Sequence, residues 1–340
     1  MRSIAVLMAG ALVAAAAACG GKPPDFSGSD ASSMKVGLAY DIGGRGDQSF
    51  NDAAAAGLDD AKRSFGLRTV KELTATPGET DAQKAERLRV LAEAGYSPII
   101  AVGYAYSEPM KKVAPDFPDI RFAIVDDTMA RGPNISNLLF AEEQGSFLVG
   151  AAAALKSRTG HMGFVGGVES PLVKKFQYGF AQGVKYIRPG DTVAVKYLTQ
   201  PPDLTGFDDP AKARMAAQGM YDAGADVVYQ AAGGSGAGVF EAAKEHRAWA
   251  IGVDSDQAMT ADPEVRGNIL TSMVKKVDVA VYDYLANIMD GTVKAGPTVY
   301  DLRLGGVDYS TTGGHIRDIQ PRLEELKQEI IVGKIKVRAA

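Results

Sequence analysis

Between residues 36 and 331 short apolar runs alternate with longer stretches of helical period, and this alternation restricts the chain to a parallel α/β architecture. Strand-like runs occupy 36–40, 68–73, 98–102, 121–125, 162–165, 193–198, 226–230, 248–253, 269–273 and 299–304. Helical stretches occupy 50–65, 80–94, 142–156, 172–187, 210–223, 239–246, 277–289 and 321–331; in the second, Leu88, Leu91 and Ala92 share one face and charges the other. Two such series follow one another with no flexible linker near residue 145, which predicts two lobes packed tightly together. In sheets of this kind ligands bind beyond the carboxyl ends of the strands, so the cleft between the lobes is the expected site.

The turn after the first run, Asp41-Ile-Gly-Gly-Arg-Gly-Asp-Gln-Ser-Phe-Asn51, lies at such an end. Capping of the next helix by Asp47 or Ser49 explains one or two of these residues, but not an exposed Phe50 followed by Asn51, so a ligand site is expected here. Asp126, the glycine-rich run 233–238 and Asp254 fall at other strand ends, where turn or capping roles are the plain alternative for each taken singly. Phe207 sits in the polar loop 201–210, with no apolar period to bury it. One ring from each lobe, Phe50 and Phe207, can clamp a flat heterocycle, at about 1–3 kcal/mol per stacked face, the plain alternative being that each plugs a small local core. Asp41 and Asn51 suit the polar edge of a purine, and Asp126 either joins them or supports its loop. Asp254 can accept both hydroxyls of a ribose; Lys275 can bond the same hydroxyls and offset the Asp254 charge, with Lys276 as its rival. Of the glycines, Gly233 is the candidate for close backbone approach to a ligand.

The pattern Asp-x-Gly-Gly-x-x-Asp-x-Ser-Phe-Asn is similar to the opening signature of the basic membrane protein family of substrate-binding lipoproteins. These are receptors of certain ABC importers, typified by the purine nucleoside receptor lipoproteins. Phe122-Ala-Ile-Val-Asp126, Phe207-Asp-Asp-Pro-Ala-Lys212, Gly233-Gly-Ser-Gly-Ala-Gly238, Gly252-Val-Asp-Ser-Asp256 and Thr271-Ser-Met-Val-Lys275 follow in that family's order, so the resemblance covers residues 35 to 335. It implies a two-lobed type I periplasmic-binding-protein fold in which the chain crosses between lobes more than once. Lobe one is placed at 35–140 plus 256–290, and lobe two at 141–255 plus 291–340. It further implies a purine nucleoside as ligand, stacking at Phe50 and Phe207, and the choice of Lys275, which falls on the family's Ser-x-x-Lys pattern. The implied protein is a monomeric receptor that uses no cofactor, breaks no bond, and docks on a permease and its ATPase.

The amino terminus reads as a targeting segment. Arg2 precedes an apolar, Ala-rich stretch at 4–18, too short for a stable membrane span, which ends at Cys19, the only cysteine of the 340 residues. Ala16, Ala17 and Ala18 before it and Gly20 after it resemble a bacterial lipobox, with Ala16 where Leu is more usual. Lipidation of Cys19 would tether the protein to the extracytoplasmic face of the cell membrane without spanning it. Residues 20–34, rich in Gly, Ser, Pro and Asp, read as a tether. A formal net charge of −4 with interspersed signs and no basic run argues against nucleic acid as a partner. His161, His246 and His315 are too scattered for a metal centre. Two other readings stand beside the nucleoside receptor. One is a receptor for another small polar ligand such as a sugar. The other is a surface serine hydrolase using Ser235, Asp254 and His315, whose order matches the Ser…Asp…His order of α/β-hydrolases. Glu142 and Glu143 read as a charged helix start favoured by the helix dipole.

Overall fold

A computed structural model describes residues 33–339. Cys19, the leader at 1–19 and the tether up to residue 32 lie outside the described residues. Met34, expected in the tether, is buried, so the folded body begins at that residue.

The strands are β1 Lys35–Tyr40, β2 Thr69–Thr74, β3 Ile99–Val102, β4 Phe122–Val125, β5 Ile135–Phe140, β6 His161–Val168, β7 Thr192–Thr199, β8 Val227–Ala231, β9 Trp249–Asp254, β10 Ile269–Lys275, β11 Gly296–Tyr300 and β12 Val307–Tyr309. The helices are α1 Phe50–Phe65, α2 Asp81–Glu93, α3 Ser107–Val113, α4 Glu142–Lys156, α5 Pro171–Ile187, α6 Pro210–Asp222, α7 Gly236–His246, α8 Gln257–Thr260, α9 Val277–Met289 and α10 Gln320–Ile331. They form two six-stranded sheets, ordered β2-β1-β3-β4-β5-β11 and β7-β6-β8-β9-β10-β12. The two orders are the same path traced twice, which makes β4 the counterpart of β9 and β5 that of β10. Among the described strands only β12 runs antiparallel, against β10.

Local chemistry accounts for these elements. The central strands β3 and β4 are apolar at every position and fully buried, as strands covered on both faces must be. Thr80 and Gln83 form a capping box that starts α2. Ser170 and Asp209 cap α5 and α6, each followed by Pro at the first helical position, where its missing N–H costs nothing. The helices α4 and α5 approach so closely that a Cβ on Gly183 would stand 2.0 Å from the carbonyl oxygen of Phe147. Gly183→Ala is therefore expected to destabilise the fold by about 1–3 kcal/mol through forced separation of the pair, read as a lowered urea midpoint.

Over the described residues the chain changes sheet three times: at Ala141 between β5 and α4, at Lys276 between β10 and α9, and at 301–306 between β11 and β12. This corrects the expected exchange points. Residues 269–275 belong to the second sheet, because β10 continues the parallel series from β9, with Thr271 opposite Ile251. The crossing follows at Lys276, after which α9 packs on α1 of the first lobe. Residues 296–300 belong to the first sheet, beside β5. The crossing segments are tied together: Ala141 N–H donates to Tyr300 O at 3.1 Å, and Lys276 N–H to Gly306 O at 2.8 Å. The elements expected from the sequence omit β5, α3, α8 and β12 and place β11 three residues late. In β5 the polar Ser136 and Asn137 interrupt the apolar run; Asn137 is nevertheless buried because its amide donates to the carbonyls of Asp127 and Ala130. Pro297 in β11 is tolerated because the strand is a sheet edge.

Candidate ligand-binding site

The carboxyl ends of the two sheets face one another across a cavity that is partly open to solvent. Its lining holds all eight residues singled out from the sequence: Asp41, Phe50, Asn51, Asp126, Phe207, Gly233, Asp254 and Lys275. It also holds Asp47, Tyr104 and Phe176, which had not been assigned to it.

The first turn is braced from within. Asp47 accepts the backbone N–H groups of Ser49, Asn51 and Asp52 at 2.8–3.0 Å, so it, and not Ser49, caps α1. Asn51 lines the cavity, but both amide hydrogens are committed, to Ile42 O at 3.1 Å and Asp47 Oδ2 at 3.0 Å, while its oxygen accepts Asp41 N–H at 3.1 Å. Asp41 accepts Ile42 N–H at 2.8 Å, and burial pushes its carboxyl up to about 6. Asp47 is likewise raised to about 6 by burial, against the lowering effect of its backbone donors. Gly103 must be glycine: its φ is +100°, and a Cβ would stand 2.6 Å from Asp41 Oδ2.

Asp126 follows β4 and Asp254 ends β9, equivalent places in the two lobes, and both adopt left-handed backbone, φ +63° and +62°. Non-glycine residues held there store strain, a feature concentrated at functional sites. Both are buried. Asp254 Oδ2 accepts the hydroxyl of Ser49 across the cleft at 2.6 Å. Gln257 donates to Gln48 O at 2.9 Å and Ser255 to Ser49 O at 3.3 Å, so a hydrogen-bonded seam joins the lobes.

Lys275 is 2% exposed and lines the cavity, whereas Lys276 does not. Its ammonium pairs directly with Asp126 of the other lobe rather than with Asp254, and lies 3.7 Å from Glu142 Oε1. Phe50, Phe140 and Phe176 surround it, with ring centres at 4.6, 5.2 and 5.4 Å. Burial disfavours its charge, but Asp126, Glu142 and Asp254 together hold its pKa above the ordinary value. Asp126 is raised to about 7 by burial, only partly relieved by Lys275. Its Oδ1 is buried with no hydrogen-bond partner among the described residues. Glu142 is no plain helix start: it is 1% exposed and accepts from Lys175 at 2.9 Å.

The glycine run divides in function. Gly233, with φ +57°, lines the cavity behind Phe207, whereas Gly238 allows α7 to pack on α6, since a Cβ there would stand 1.9 Å from Pro210 O. The hydrolase triad is not assembled. Ser235 is fully buried, donating to Gly206 O at 2.8 Å and accepting Asp209 N–H at 2.7 Å. His315 packs on Trp249, which opens β9, while Asp254 closes it, five residues and roughly 16 Å further along.

Residues 34–340 match the protein family described as Bmp, ABC transporter substrate-binding protein PnrA-like. The CD4+ T-cell-stimulating antigen of Listeria innocua is 34% identical, over 94% of this chain and 93% of its own length. The ABC transporter nucleoside-binding protein BmpA of Lactococcus lactis is 30% identical over 96% of each. Among solved structures, an ABC transporter solute-binding protein from Aeropyrum pernix superposes with a TM-score of 0.79 at 30% identity, covering 90% of this chain and 94% of that one.

Proposed function

Because this chain belongs to the Bmp family of PnrA-like ABC transporter substrate-binding proteins, we propose that the solute it captures between its lobes is a purine nucleoside. A substrate-binding protein of this kind works outside the cytoplasm and passes its ligand to the permease and ATPase of the importer. We place it on the membrane through a lipid on Cys19. The observation that carries the nucleoside reading is the composition of the cavity: phenylalanines from both lobes together with two buried, strand-end carboxylates. Phe50 and Phe207 stack the base from opposite lobes, and Phe176 adds an apolar wall. Asp254, with one oxygen held by Ser49, and Asp126, with Oδ1 unpartnered, accept hydroxyl protons of the sugar. Lys275 neutralises that pair of carboxylates. Asp41 meets the polar edge of the base, and Asn51 holds Asp41 and the turn in place. The nucleoside binding named for the Lactococcus relative supports this choice.

Calorimetric titration tests it, using protein unfolded and refolded to remove carried ligand and a panel of nucleosides, free bases, ribose and other sugars. Binding of purine nucleosides with ribose silent is the expected result; a response to sugars alone would overturn the aromatic clamp. Phe50→Ala and Phe207→Ala are each expected to weaken binding by about 1–3 kcal/mol with thermal stability retained. Normal affinity in both variants would refute stacking.

A further inference from the structure

We infer that Glu142 is a positioning residue that holds the lobes towards the open state, acting through Lys275. Its place in the chain carries the argument. Glu142 is the first residue beyond the crossing at Ala141, and Lys275 the last before the crossing at Lys276. Both therefore travel with lobe two, as does Lys175 on α5. Asp126 travels with lobe one. The ammonium of Lys275 thus stands between a carboxylate of its own lobe, 3.7 Å away, and one from the opposite lobe, in direct contact.

Closure and opening treat these two carboxylates differently. In the closed arrangement seen here Lys275 pairs across the cleft with Asp126. Rotation about the crossings carries Asp126 away, whereas Glu142 stays beside Lys275 and remains its counter-ion. Glu142 also repels Asp126, a like charge brought close only by closure, and this repulsion contributes to the raised Asp126 pKa. The attraction is common to both states, so it is the repulsion that favours opening. Removing the Glu142 charge deprives the open state of an attraction without any compensation. The closed state loses the same attraction but is relieved of the repulsion, so the equilibrium moves towards closure. Lys175 opposes Glu142: it donates to the carboxylate at 2.9 Å, offsetting its charge, and donates across the crossing to Phe140 O of lobe one at 3.3 Å. The arrangement supplies what a delivery protein needs besides affinity, a built-in bias towards release.

The proposal rests on the receptor reading but not on the identity of the solute, so the primary measurement is made without ligand. Small-angle scattering of the ligand-free chain is compared for wild type, Glu142→Gln, Glu142→Asp and Lys175→Gln. Release of whichever of adenosine, guanosine and inosine the wild type binds is then followed by stopped flow. Glu142→Gln is expected to show a smaller radius of gyration and several-fold slower release. Lys175→Gln is expected to shift both quantities the opposite way, and Glu142→Asp, which keeps the charge, to stay near wild type. Lys175 is partly exposed, so its variant carries the test even if Glu142→Gln fails to fold. Movement of the two Gln variants in the same direction, or unchanged scattering in both, would overturn the inference. A shifted radius with no nucleoside bound would sink the nucleoside proposal and leave this one standing. Nucleoside binding with both radii unchanged would do the reverse.

Discussion

Lys275→Met is expected to lower folding stability by about 3–5 kcal/mol at pH 8, because it leaves two buried carboxyl groups, Asp126 and Glu142, without their shared ammonium. The loss should be pH-dependent in a definite sense. Burial already holds the native Asp126 pKa at about 7, above its ordinary 3.8, and losing Lys275 raises it further. Through that window the native state binds more protons than the unfolded chain, so stability falls as pH rises. In the wild type Asp126 ionises only above about pH 7, so the charge-dependent part of the deficit opens there, grows with rising pH and is small at pH 5, where Asp126 is neutral with or without its partner. Urea midpoints at pH 8 and pH 5 read it directly. The double variant Lys275→Met with Asp126→Asn should recover much of the loss at pH 8. An equal deficit at both pH values would mean that packing among Phe50, Phe140 and Phe176, not charge, dominates.

Asp41→Asn is expected to move stability in the opposite direction. The Asp41 carboxyl is raised from 3.8 to about 6 by burial, so its ionisation at neutral pH opposes folding by up to about 3 kcal/mol. This penalty is absent below the unfolded pKa, grows as pH rises from about 4 to 6, and is constant above. Asparagine retains an acceptor for the Ile42 N–H and carries no charge to desolvate. Thermal unfolding should show a gain at pH 7.5 that vanishes near pH 4, accompanied by weaker nucleoside binding. A stabilising substitution at the cavity wall that impairs binding is the expected sign of a residue retained for function at a cost in stability. A variant no more stable than wild type at pH 7.5 would show that the Asp41 charge is better solvated than its burial implies.

The eight cavity-lining residues were legible because, Gly233 apart, they combine polar or aromatic chemistry with a local breaking signal. Phe207 stands in a loop with no apolar period, and Asp254 follows a run that reads as a buried strand. The residues that were missed lack such a contrast. Phe176 lies on the apolar face of α5 with Val173, Phe180 and Val184, where it reads as another core residue. Tyr104 follows Gly103 in a single turn of helix too short to show a period. Glu142 at a helix start has an adequate local explanation in the helix dipole, and only its burial against Lys175 and Lys275 reveals another role.

Sequence alone determined the alternation that makes two parallel α/β lobes, the strand ends at which the site is built, and the residue types gathered there. These follow from periodicity and turn chemistry, which act over a few neighbouring residues. Tertiary structure alone decided which sheet received β10 and β11, since strand pairing joins segments far apart in sequence: residue 296 lies beside 136. It also decided that Asn51 serves its own turn, that Ser49 reaches Asp254, and that Lys275 faces Asp126 from the other lobe. Those outcomes depend on distances between lobes and on the strong electrostatics of a buried setting, which become defined only once the two sheets close on one another.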